Sequence, residues 1–162
     1  MVWIDRRVWF NILFSEVVKK YMKYDKEIWS WSIYDWANSA FSTTVMAGFF
    51  PIFFEKYWSN PDDVIQSTYM LGMGNAAGSI IIAALAPFLG AIADRGSAKK
   101  KFLFIFVLMG ILSTGALWMV AQGQWDMAMF LYIIATVGFM GSNIFYDSLL
   151  PSISTNKTVD SV

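Results

Sequence analysis

The sequence contains no cysteine and no histidine, and only 15% of its 162 residues are charged. Without these two residue types the chain can form no disulfide, no thiolate metal site, no Ser–His catalytic pair and no zinc site of the HExxH kind. The phosphate-binding pattern GxxxxGK[ST] is absent as well. We therefore expect a protein that is not an enzyme and that needs neither a cofactor nor a metal ion.

Hydrophobic residues are abundant: they make up 57% of the chain, against roughly 45–50% in a soluble domain. Four runs carry no charged residue, namely 36–54, 67–93, 102–125 and 127–146. Each run is close to or above the length of about 20 residues that a helix needs to cross a bilayer. We predict an all-α membrane protein with four transmembrane helices at about 31–54, 67–93, 102–122 and 127–149, and with the lipid bilayer as a partner.

The basic residues are distributed unevenly around these spans. Of the 12 Lys and Arg residues, Lys56 alone lies in the loops after the first and third spans. Loops rich in Lys and Arg stay in the cytoplasm. The pattern predicts a multi-pass protein of the bacterial plasma (inner) membrane with both termini cytoplasmic. The small cluster "KKK" next to a span does not indicate nucleic acid, because a solvated cytoplasmic loop explains it.

The segments outside the spans, 1–27 and 152–162, carry less information. In the first, five apolar residues recur at helical spacing beside several lysines: Phe10, Leu13, Phe14, Val17 and Tyr21. This pattern favours a basic amphipathic helix at the membrane interface. A disordered basic tail or a wrongly assigned start is the alternative. Residues 152–162 are expected to be a truncated cytoplasmic loop.

Two of the predicted spans carry polar stripes. At 100° per residue, one stripe on the first helix fills an arc of about 100°, and one on the fourth fills about 60°. The members are Asp35, Asn38, Ser39 and Ser42, and Tyr132, Thr136, Asn143 and Asp147. We expect them to line a cavity, with the two carboxylates at its cytoplasmic mouth as a gate or ion relay and the two asparagines deeper. The alternative is that the hydroxyls bond their own helix backbone and that the carboxylates only cap their helices.

The other two spans differ from these. The second is rich in small residues, and its pair Gly74 and Gly78 forms a GxxxG pattern that permits close helix packing, although such pairs also arise by chance. The third carries only Ser113 and Thr114 as polar residues and is expected to face lipid. Asp94 follows the second span, and a carboxylate at a helix C-terminus needs a positive partner; it could instead only cap a turn.

Three stretches of the sequence resemble a known family. "GAIADRGSAKKKFL" (residues 90–103) resembles the loop signature between the second and third helices of the major facilitator superfamily. The matching residues are Gly90, Asp94, Arg95, Gly96, Lys99 and Lys100, with the glycine one place early. "YDWANSAF" (34–41) and "FYDSLLPSIS" (145–154) resemble the vacuolar amino-acid effluxer-like branch, and the resemblance covers residues 24–162.

The resemblance implies that the four spans are the first part of a six-helix N-terminal bundle. In that fold the first and fourth helices line the central cavity, the second lies between the bundles and the third faces outward. Members have twelve spans, so the chain is expected to be an N-terminal fragment whose partners include the missing C-terminal helices. The implied function is secondary transport by alternating access of a small solute, amino acids being the suggested class, with a proton or cation as coupling ion.

Two other functions remain open from the sequence. A small four-span protein could act as an oligomeric exporter, although such chains carry a Glu inside the first span, which is missing here. A non-transporting membrane scaffold is the other alternative, and it would not need two polar stripes.

Overall fold

The computed structural model describes residues 26, 28–60, 62–94 and 98–153, with the backbone alone for 152 and 153. The predicted amphipathic segment, Arg95, Gly96 and nearly all of the predicted C-terminal loop lie outside these residues. Contacts divide the chain into two compact units, Asn38–Leu150 and a smaller one formed by Met1–Ala37 with Pro151–Val162.

The described residues form four helical segments and no strands. Helix α1 covers residues 28–58 and changes its winding: it is α-helical over 28–40, π-helical over Phe41–Phe49, α-helical over Phe50–Phe53 and π-helical over Phe54–Trp58. Helix α2 is Val64–Asp94. Helix α3 is Lys99–Ala116, extended by a 3-10 turn over Leu117–Met119. Helix α4 is Trp125–Ile153.

Three of these helices are long and apolar enough to cross a membrane: Val64–Asp94, Lys99–Met119 and Trp125–Pro151. The backbone explains why these apolar segments are helical: a segment in hydrocarbon must satisfy every N–H and C=O group internally, and a helix does so. The changes of winding in α1 leave it without one regular stretch of that length. The first of the four predicted spans, at about 31–54, therefore stays a prediction.

Helix α4 is the centre of the larger unit. In the 18 most apolar consecutive residues of each helix, 56% of the residues of α4 are buried, against 17% for α2 and 11% for α3. Glycines allow this close packing: a Cβ on Gly138 would lie 2.8 Å from the backbone nitrogen of Gly110, and one on Gly141 would clash with the ring of Phe106. Helix α3 therefore packs against α4 nearly backbone to backbone.

Two apolar clusters hold the larger unit together. One joins the C-terminal part of α1 to the start of α4 and centres on Phe50, Phe54 and Trp58. The indole Nε1 of Trp58 donates a hydrogen bond of 3.2 Å to the carbonyl of Val120, which fixes the end of α3 to α1. The other cluster joins α2 to the C-terminal part of α4 through Leu89, Ala93 and Phe145.

Candidate functional site

The two predicted polar stripes meet at one pair of amides. Asn38 of α1 donates a hydrogen bond of 2.6 Å from Nδ2 to Oδ1 of Asn143 on α4. Both side chains are half-buried. An Asn amide offers two donors and an acceptor with two lone pairs, so the pair keeps further donor and acceptor positions for a neutral polar group.

The hydroxyls next to this pair bond their own helix. The Ser42 and Thr43 hydroxyls both donate to the carbonyl of Ser39, at 2.9 Å and 3.0 Å. Ser39 itself is exposed, and Ser42 is half-buried. This local bonding is the alternative that the sequence left open for the Ser and Thr residues of the stripe. The Ser39 carbonyl, two residues before the π-helical stretch, thus accepts two hydrogen bonds from side chains.

Tyr132 lies inside the protein. Its side chain is 1% exposed, and its hydroxyl donates a hydrogen bond of 2.8 Å to Oδ1 of Asn75 on α2. Its ring stacks on Phe50 with a centroid distance of 3.8 Å. Tyr132 therefore ties α1, α2 and α4 together. Sequence reasoning did not single out Asn75; the available signal was a lone amide within an uncharged run of small and apolar residues.

Thr136 and the GxxxG pair lie beside this tyrosine. The Thr136 side chain is 1% exposed, and its hydroxyl makes no hydrogen bond to the described residues. A Cβ on Gly78 would lie 3.3 Å from the Thr136 methyl carbon, and one on Gly74 would clash with Met129. The GxxxG face of α2 thus packs on α4 within this chain.

The three predicted carboxylates, Asp35, Asp94 and Asp147, are all exposed. Asp35 belongs to the smaller unit and the other two to the larger one. Asp94 is the last residue of α2. The residues that the structure describes contain no cluster of three or more acidic side chains that could hold a metal ion.

The loop signature reaches α4 through one lysine. Lys99 donates a hydrogen bond of 2.8 Å from Nζ to the carbonyl of Ser148, near the C-terminal end of α4. A cation is favourable there, because that end of a helix carries partial negative charge. Lys100 is exposed, and a Cβ on Gly90 would meet open space.

A cavity of about 430 Å³ lies between α1 and the end of α3. Its walls are mainly aromatic and aliphatic side chains, including Phe49, Phe53 and Trp118. None of the predicted site residues lines it.

Comparison with known proteins decides the family. A family model described as "Vacuole effluxer Atg22 like" matches residues 23–70 and 63–160. The chain belongs to this family. The resemblance to the vacuolar effluxer-like branch of the major facilitator superfamily is thereby confirmed. No solved structure matches this Atg22-like chain significantly.

Individual relatives of the Atg22-like chain are longer than it is. It is 37% identical over 141 residues to the "Uncharacterized MFS-type transporter YxiO" of Bacillus subtilis (strain 168), covering 86% of the chain and 33% of that protein. It is 26% identical over 174 residues to "Autophagy-related protein 22" of Coccidioides immitis (strain RS), covering 81% and 29%. The chain thus spans about a third of the length of these relatives. Together with the three apolar helices, they show an integral multi-pass membrane protein.

Proposed function

We propose that this chain is the N-terminal portion of a secondary active transporter that moves a small solute across the membrane by alternating access. The observation that carries the proposal is the 2.6 Å hydrogen bond between Asn38 and Asn143. It brings together two helices that carry separate polar stripes, at a half-buried position. Such a bond also stabilises helix packing by itself, so the proposal rests on the amide pair together with the family match.

The chemistry of the described residues favours a solute without net charge. The runs 36–54 and 127–146, which hold the amides and hydroxyls of α1 and α4, contain no charged side chain. A bound cation or anion in this region would lack the opposite charge that it needs when it leaves water. A neutral polar molecule, or a zwitterion without net charge, fits better. Amino acids, the class that the sequence resemblance suggests, are the class to test first.

The other parts of the proposal concern the carboxylates and the membrane. We propose Asp35 and Asp147 as gating or ion-relay residues, each at the end of an uncharged run on its own helix. A proton or cation is the proposed coupling ion, and the bacterial plasma membrane with cytoplasmic termini is the proposed setting. The remaining helices of the full-length protein are the proposed partner of the exposed face of α1.

The test is solute uptake into proteoliposomes that contain the full-length protein, meaning the gene product at the length of its relatives. A panel of labelled amino acids should include at least one that is taken up above empty vesicles, and Asn143→Leu should reduce that uptake about tenfold or more, because the apolar side chain cannot hydrogen-bond solute or Asn38. Ser79→Ala is the matched control, since the Ser79 hydroxyl is exposed and bonds only the carbonyl of Asn75. No uptake of any amino acid would contradict the proposed solute class, and equal uptake by Asn143→Leu would contradict the role given to the amide pair.

A further inference from the structure

Helix α1 packs with a period that an α-helix does not have. From Asn38 onward, every fourth residue is half-buried or buried, and Phe41, Val45 and Gly48 beside this row are half-buried too. The six residues of this row are Asn38, Ser42, Met46, Phe50, Phe54 and Trp58. In an α-helix of 3.6 residues per turn, a row with a spacing of four drifts by about 40° at each step. Over these five steps the drift is about 200°, so the last residue of the row would face away from the first.

Two contacts on α4 fix this row at its beginning and its middle. Asn38 bonds Asn143, and Phe50 stacks on Tyr132. On α4 the two partners are eleven residues apart, which in an α-helix places them within about 20° on one face. On α1 the two residues are twelve apart, which in an α-helix would separate them by about 120°. Helix α1 therefore holds one residue more between the two contacts than α4 does.

The π-helical stretch accommodates that extra residue. Phe41–Phe49 lies between the two contacts, and bonds from residue i to i+5 advance the chain by less than 100° per residue. The widened turns bring Asn38 and Phe50 onto the same face of α1. Inserted π turns of this kind occur frequently at functional sites.

The local hydrogen bonds show how the widening is stabilised. The Ser39 carbonyl, two residues before Phe41, accepts hydrogen bonds from the Ser42 and Thr43 hydroxyls. Side-chain bonds of this type substitute for regular backbone bonds and bend helices. In contrast, α3 is α-helical throughout Lys99–Ala116 and packs through Gly110 against Gly138.

We propose that the extra residue in the π-helical stretch Phe41–Phe49 lets α1 rotate about its own axis there, so that the stretch acts as a rotary joint. Asn38 and Asn143 are the positioning residues that hold the joint in the observed state. When the stretch tightens to α-helical turns, Asn38 rotates by about 120° away from Asn143, while Phe50 remains on Tyr132. The purpose assigned to this movement, exposing the amides of the polar site to solute, rests on the proposed function. The joint itself does not, and its test needs no transport.

The test compares two deletions in the 162-residue chain in lipid nanodiscs. Deletion of Thr44, an exposed residue of the π-helical stretch, places Asn38 and Phe50 eleven positions apart instead of twelve and lets α1 become α-helical with both contacts kept. It should leave the melting temperature within about 5 °C of the parent and slow amide hydrogen exchange at residues 45–49 about tenfold. Deletion of Ile105, an exposed residue of the regular helix α3, is the matched control and should unfold the chain, because it turns Gly110 away from Gly138.

A substitution provides the second arm. Asn143→Ala should speed exchange at residues 38–44 at least about threefold and leave residues 54–58 unchanged, because it releases only the Asn38 end. Asn143→Gln, which keeps an amide, should restore most of the protection. The proposal is overturned if deletion of Thr44 destabilises the chain as much as deletion of Ile105, if residues 45–49 exchange no faster than 105–112 in the parent, or if Asn143→Ala changes exchange uniformly along α1.

Discussion

Lys99 and Ser148 are joined by a hydrogen bond of 2.8 Å from the ammonium group to the backbone carbonyl. The lysine begins α3, and the carbonyl belongs to the last turns of α4. The contact therefore fixes the beginning of one helix to the end of another.

The first prediction concerns this lysine. Lys99→Met should lower the free energy of unfolding in detergent by about 1–2 kcal/mol, because it removes a charged hydrogen-bond donor from the negative end of α4. Lys100→Met is the control, since Lys100 is exposed and has a similar stem. Equal effects of the two substitutions on unfolding would show that the contact contributes nothing.

The second prediction concerns the helix contact at Gly138. A Cβ there would lie 2.8 Å from the Gly110 nitrogen and 2.9 Å from the Phe106 carbonyl oxygen, and neither backbone atom can move easily. Gly138→Ala should therefore lower stability by about 1–3 kcal/mol, as overpacking does in other cores. At Gly115 a Cβ would meet nothing within 4 Å, so Gly115→Ala should be neutral or stabilising. Thermal unfolding of the two variants measures the difference, and a stable Gly138→Ala protein would contradict the close approach of α3 and α4.

The third prediction separates the two contacts of Tyr132. Tyr132→Phe keeps the stack on Phe50 but loses the hydrogen bond to Asn75. Its cost should be about 0.6 kcal/mol and at most about 1.7, the range measured for hydrogen bonds between membrane helices. Tyr132→Ala also removes the buried ring and should cost about 3–5 kcal/mol. If the two variants unfold at the same point, the ring does not contribute to packing as the structure indicates.

The helices could be predicted from the sequence because they form in the hydrocarbon of the membrane. Long uncharged runs predict helices, since a backbone in hydrocarbon has no other way to satisfy its polar groups alone, and three apolar helices of spanning length are found. The family could also be identified from three short stretches, and the family model confirms it.

The details of the candidate site depend on contacts that a helical wheel does not contain. A wheel gives the face of a residue but not its neighbour, so it groups Tyr132 with Asn143 and Asp147 without showing that Tyr132 is buried against Asn75. It also assumes 100° per residue, which fails in Phe41–Phe49.

The fourth prediction tests the number and direction of the spans. A reporter that is active only in the cytoplasm should be active when fused after Val162 and silent when fused near Asn60, because the Lys and Arg residues keep both termini inside. Fusion near Gly123, in the turn between α3 and α4, should also be silent. An active fusion at Asn60 would contradict the predicted first span over 31–54.

The last prediction concerns the two carboxylates proposed as gating residues. Asp35 and Asp147 are both exposed, and each lies within a predicted span, where an ionisable side chain is expensive unless its position is shallow. If each takes part in gating or in ion movement, Asp35→Asn and Asp147→Asn, made separately in the full-length protein, should each reduce transport about tenfold or more and change its dependence on pH, because the amide neither ionises nor carries a proton. Asp126→Asn is the matched control, since this exposed carboxylate lies in the first turn of α4. Uptake is measured at equal abundance in the membrane over a range of pH values. Normal rates and an unchanged pH profile in both variants would show that the two carboxylates contribute only to topology and helix capping.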